Sequence, residues 1–482
     1  MRWGLAASSL AIIALVGADP AAAQTDTQNS EFGSPAPQRE KSKAREDKEE
    51  EHKPTDPDTG KSTLSNETLG LLPNPFESSG IKFSATYVAD LMGNPTGGLH
   101  QGAVYMGRLN LAIDLDFAKL AGAQDLSFHA NVFQIHGRGL SRDEIGNIML
   151  VSSIEALATT RLYEAWFEQK WAADKFSIRA GQLAADAEFI TSKYTDVFIN
   201  ATYGWPAITA TNMPSGGPSP PLAAVGARFK AELNQNITML AAIFDGDAAG
   251  PGVGDPQERN RYGLNFRVND PPLVLGEMQY AWNQAKDAVG LPGTAKLGGW
   301  YHAGKFNDER FTAGGLSQAD PHGNGVPAQL RSDFGIYGVF EQQVLKLPGK
   351  DERGVGVFTR VSTSPGDRNL ISFYADGGVN VQGPFAARPK DKLGIGFAYA
   401  RISNRARDLD RDFELFAHDG RPVRDAETLL ALSYLAEIRQ GWVVHPTFQY
   451  IIHPGGGYVL DAGVPKAVGN AAVLGVRTVL KF

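Results

Sequence analysis

The chain of 482 residues contains no cysteine. That excludes a disulfide framework, thiolate metal ligation and a cysteine nucleophile, and it suits a protein that crosses an oxidising periplasm before folding. Beyond the N-terminal segment there is no charge-free apolar run of about 18 residues, so a helical membrane protein is excluded. Neither sign of charge dominates: 46 Lys and Arg against 53 Asp and Glu leave a formal net charge of -7. No basic stripe offers itself to DNA or RNA. P-loop, GxSxG and HExxH motifs are all missing, and the histidines are scattered, His445 and His453 reading as strand and loop decoration. No cofactor, no metal and no nucleic-acid partner is expected.

What is present begins with MRWGLAASSLAIIALVGADPAAA. Arg2, the apolar stretch from Leu5 to Val16 and the run Ala21, Ala22, Ala23 form a signal-peptide pattern over residues 1–23. The apolar stretch is shorter than the roughly 20 residues that span a bilayer, which argues against a retained anchor. Residues 24–68 read as a disordered, polar periplasmic extension. Its charge run REKSKAREDKEEEHK lacks the apolar heptad positions of a coiled helix. Residues 69–482 read as a single folded domain.

In Arg108 to Phe117, Leu109, Leu111, Ile113, Leu115 and Phe117 alternate with Arg108, Asn110, Ala112, Asp114 and Asp116. A period of two puts the large apolar side chains on one face of a strand. Tyr163, Ala165 and Phe167 likewise oppose Glu164, Trp166 and Glu168; Phe176, Ile178 and Ala180 oppose Ser177 and Arg179; Leu264, Phe266 and Val268 oppose Asn265 and Arg267. A soluble sandwich would also alternate. The signal pattern, the recurring strand-length runs and the terminal strand AAVLGVRTVLKF ending on Phe482 favour a transmembrane antiparallel β-barrel instead. About seventeen candidate strands can be marked, one of them near Arg261; bacterial barrels have even numbers, so sixteen are expected. The gaps between Gly137 and Arg161 and between Gln182 and Ala224 are too long for turns and are expected to fold inward as a constriction. Repeated Gly, as in GVGVF and GIGFAYA, fits close approach of such loops.

At QIHGRGLS (134–141), RLYEAWFEQKW (161–171), IRAGQLAADAEF (178–189), FINATYGWP (198–206) and PTFQYIIHPGG (446–456) the chain resembles the carbohydrate-selective porin family of the OprB type. The resemblance implies a sixteen-stranded outer-membrane channel for facilitated diffusion of sugars, with monosaccharides such as glucose foremost. It also implies an acidic residue and an arginine together where this chain reads Gln134 and Ile135.

Sugar passage needs hydrogen-bonding groups and an apolar surface around a narrow opening, with binding weak enough for release. Strand parity puts Glu164, Trp166, Glu168 and Arg179 on one polar face, where they are the first candidates for lining the pore. Arg108, His129 and Asn131 are further lumen candidates, and Asp186 and Trp205 are loop candidates. The bland alternative is that such charges only line water and pair with one another. A retaining glycosidase would need its carboxylates about 5 Å apart, whereas Glu164 and Glu168 lie about 13 Å apart along a strand. The expected partners are transported sugars, outer-membrane lipid, and the barrel-assembly machinery through the strand ending at Phe482. A general diffusion porin and a secreted lectin are the rival readings.

Overall fold

Alternation becomes inside and outside. In β2 (Ala103–Asp116), Leu111 is 49% exposed, while Asn110 and Asp114 on the other face are almost wholly buried. Apolar outside and polar inside is the reverse of a soluble sandwich, and it is the pattern that hydrocarbon around a polar lumen selects.

The computed structural model describes residues 68–285, 288–349, 353–461 and 464–482. The expected signal peptide and nearly all of the extension lie outside these residues. Along the chain the strands are β1 (Ile81–Gly98), β2, β3 (Leu126–Gly137), β4 (Thr159–Trp171), β5 (Phe176–Leu183), β6 (Ala224–Glu232), β7 (Ile237–Phe244), β8 (Leu273–Trp282) and β9 (Gly293–Thr312). They continue as β10 (Pro327–Lys346), β11 (Gly354–Thr363), β12 (Ile371–Gln382), β13 (Lys392–Ile402), β14 (Ala426–Arg439), β15 (Trp442–Ile452), the short hairpin β16 (Tyr458–Asp461) with β17 (Val464–Ala467), and β18 (Gly469–Lys481). β1 to β15 and β18 form one closed antiparallel barrel of sixteen strands, with β18 between β15 and β1. At the seam Leu69 N donates to Lys481 O and Phe482 N to Ala85 O. Closure leaves no strand edge with unpaired N–H and C=O groups against lipid.

The two ends differ. At one, the strands are joined by short connections such as 172–175, 233–236 and 440–441; at the other lie 138–158, 184–223, 245–272 and 403–425. Near the short end, Trp171 stacks on Phe176 at 5.9 Å and Trp282 meets Phe340 at 6.0 Å. These outward rings form the aromatic girdle of a membrane interface.

Loops 138–158 and 184–223 do fold into the barrel. Their apolar residues, among them Met149, Ile190, Phe198 and Tyr203, are buried against inward-facing Phe358, Tyr374, Leu429 and Val473 of the wall. The glycines of GIGFAYA make room for them: a Cβ on Gly394 would sit 2.3 Å from Val197 Cγ1, and one on Gly396 only 2.8 Å from Phe198 Cζ.

Two expectations fail. The segment near Arg261 is no strand. Its start lies along the projecting top of β4, where Leu162 N donates to Tyr262 O and Gln182 Nε2 to Gly263 O, and it has no further ladder partner. Leu264, Phe266 and Val268 are exposed, so alternation was present without the pairing that makes a strand. The second failure is Tyr163. A register shift between Asn131 and Val132 leaves an extra residue in β4, a bulge that turns Tyr163 into the lumen, where it stacks on Phe133 at 4.3 Å.

Candidate functional site

Strand register builds the lumen wall in rows. One row runs Lys82, Asp114, His129, Trp166 across β1 to β4; the next toward the loops runs Ser84, Ala112, Asn131, Glu164. On the other side, Glu168, Arg179 and Arg228 stand opposite one another on β4, β5 and β6. Two guanidinium groups side by side repel, and two carboxylates offset this. Arg179 donates to Glu168 and Glu188, and so does Arg228, at 2.8 to 3.3 Å. All four side chains are at least nine-tenths buried. Glu188 comes from loop 184–223, so the same ring of charges fixes the loop to this wall.

Most of the sequence candidates meet here. Glu168 and Arg179 are in the ring. Glu164 accepts from Ala184 N at 3.1 Å, where the loop leaves β5. Asn131 stitches the β4 bulge, its Oδ1 accepting from Glu164 N. His129 Nδ1 lies 2.6 Å from Asp114 Oδ1. Arg108 lies over the ring of Phe133, 4.5 Å from its centroid. Asp186 is buried beside Tyr163 and Glu164, and burial together with the Glu164 charge pushes its carboxyl well above the usual carboxylate range.

Two candidates have enclosed rings. Trp166 offers no free face: Arg179 covers one at 3.8 Å and the His129 ring stacks at 5.1 Å. Its ring lies between these two polar groups. Trp205 is wholly buried inside loop 184–223, its Nε1 donating to Gly216 O, so it holds the loop together away from any lumen opening.

The opposite wall, β8 to β18, is built to hold loops. Arg360 pairs with Asp376 on the neighbouring strand and donates onward to Ile190 O and Thr202 O. Arg477 pairs with Asp90 and donates to Ser153 Oγ. Glu277 accepts from Ile190 N, Glu341 from Lys193 N, and Glu427 from both Ile148 N and Met149 N. Lys296 and Lys392 reach Thr191 O and Asp196. Sequence parity could have placed the strand members of these pairs in the lumen; Glu188 and the loop carbonyls have no such signal.

A cavity of about 490 Å3, counting space open to solvent, lies at the short-turn end. Lys82, Asp114, His129 and Trp166 line it, with Glu77 and Lys119 at its edge. Among the described residues there is no cluster of His, Asp and Glu suited to a metal ion.

The family model for "Carbohydrate-selective porin, OprB family" matches residues 100–482. The chain belongs to this family. It is 24% identical over 419 residues to Porin B of Pseudomonas aeruginosa, across 83% of this chain and 87% of that one. A putative porin, QuiX, of Acinetobacter baylyi is 21% identical, across 84% of this chain and 90% of that protein. The high-pH structure of Pseudomonas putida OprB superposes with a TM-score of 0.74 at 22% identity, covering 84% of this chain and 95% of that one; it supports the barrel fold.

The protein is thus an outer-membrane carbohydrate porin of the Gram-negative envelope, a channel in which short turns face the periplasm and long loops the exterior. Where the resemblance implied an acid and an arginine, Gln134 bonds His136 on the outer face, and Ile135 packs with Phe133 and Tyr163. The ring of Glu168, Arg179, Glu188 and Arg228 lies on the same wall nearer the short-turn end, and Arg108 stands opposite Ile135.

Proposed function

We propose that the channel passes monosaccharides such as glucose by facilitated diffusion along the β1 to β6 wall. The observation that carries this reading is charge compensation. Glu168 and Glu188 against Arg179 and Arg228 leave many hydrogen-bonding groups and little net field. A wall of that kind suits a neutral polyhydroxylated solute more than an ion of either sign. The partners follow from the same reading: sugars in the lumen, lipid around the belt, and barrel-assembly machinery at the strand ending in Phe482, after an N-terminal signal peptide directs export.

Current through single channels in planar bilayers tests this. Millimolar glucose should reduce the current in a saturable way, and liposome swelling should favour monosaccharides over amino acids of similar size. Current insensitive to glucose, with swelling rates ordered by size alone, would describe a general diffusion porin instead.

A further inference from the structure

The periplasmic cavity carries an unmet demand. Lys82, Asp114, His129 and Trp166 are successive neighbours across four strands, and all four line the cavity. His129 and Trp166 are 1% and 2% exposed. A carboxylate only accepts, so Asp114 fixes the proton of a neutral His129 on Nδ1 and leaves Nε2 as an acceptor. Nε2 has no partner, and neither has the Trp166 Nε1–H donor. Buried polar atoms left in this way carry a desolvation cost that a ligand or an ordered water relieves.

One donor and one acceptor on stacked rings match a group that both accepts and donates. We propose that this row is a sugar subsite at the periplasmic mouth, in which one hydroxyl of a neutral sugar accepts from Trp166 Nε1 and donates to His129 Nε2. The subsite rests on the reading of the channel as a sugar conduit and adds to it a place where the solute pauses before release. Of the acidic Glu77, Asp114 and Asp116 around the cavity, two are offset by Lys82 and Lys119, which disfavours an anionic ligand.

D-Glucose and its monodeoxy analogues, added from the periplasmic side of single channels, test the subsite. In the parent, one analogue should need about three- to tenfold more sugar for half-block than glucose, the worth of a hydrogen bond. Trp166→Phe, which keeps a ring between His129 and Arg179, and His129→Phe should each raise the glucose requirement by a similar factor. The double variant should do no more than the larger single one, because both atoms serve one hydroxyl. Uniform affinity across the analogues, additive effects, or unchanged block in both variants would mean that the row holds water only and would overturn the subsite, while the sugar channel stands. A parent channel that glucose does not block would overturn both. Migration before and after boiling confirms assembly of each variant, and the analogue series on the parent decides the question should a variant not assemble.

Discussion

The walls β1 to β6 and β8 to β18 carry the same kinds of ion pair and use them differently. On the second, Arg360 and Arg477 are saturated by one strand carboxylate and by loop oxygens, and the space above them is filled by an apolar core of Phe198, Tyr203 and Phe358. On the first, Arg179 Nε, His129 Nε2 and Trp166 Nε1 lack partners and a cavity opens below. Loop oxygens complete these arginines on the second wall, whereas on the first wall loop 184–223 is held by Glu188 and the neighbouring polar atoms face a cavity. A channel needs both, because loops that narrow a pore must be held as firmly as any core.

The sharpest way to break the comparison is to cut a latch. Arg360→Ala leaves Asp376 buried and uncompensated and removes three loop contacts, a loss of about 3 to 5 kcal/mol. The boiling transition on gels should fall by many degrees and open-channel current should become noisy and larger. Unchanged stability and current would mean that the loops are held without the latch. Somewhat smaller is the cost of inverting the outside: Leu111→Arg faces lipid and should impair assembly by about 2 to 4 kcal/mol, whereas Asp114→Arg should assemble with altered ion selectivity. Equal assembly yields for the two would contradict the register.

A third effect concerns pH. Glu155, in loop 138–158, accepts from Ser141 N and Arg142 N, yet burial pushes its carboxyl up to about 7. Its contribution to stability is then full below about 4.5 and lost as pH rises through about 7. The parent should show more closures at pH 8 than at pH 5, and Glu155→Gln should flatten that dependence; a profile identical in the variant would remove Glu155 as the cause. The smallest effect is expected on the first wall, where Arg179→Ala should shift ion selectivity toward cations with little loss of stability, because Arg228 still holds Glu168 and Glu188. Severe destabilisation there would erase the contrast between the walls.

Much of the barrel was legible because a period of two is a direct record of which face meets lipid. Sixteen of the marked strands formed, and Leu111 and Asp114 face as their spacing requires. The failure at Leu264, Phe266 and Val268 has a simple origin: alternation records exposure, and pairing depends on what the neighbouring chain offers. Tyr163 was misplaced because a bulge changes parity without changing composition. Glu164, Trp166, Glu168 and Arg179 were found together since register follows from the strands. Glu188 was not, since nothing in a loop's sequence fixes where it touches a wall.

The absence of cysteine makes the central contrast directly measurable. Ser127→Cys places a thiol at the cavity of the first wall. Ser433→Cys places one on the second, at a buried position opposite Gly394, which itself lies against Val197 and Phe198. With a small cationic thiol reagent added during single-channel recording, the account predicts rapid labelling and a drop in current at Ser127→Cys, slowed by glucose, and no reaction at Ser433→Cys. Equal labelling of both, or faster labelling of the second, would contradict the division of the lumen into a conducting wall and a holding wall.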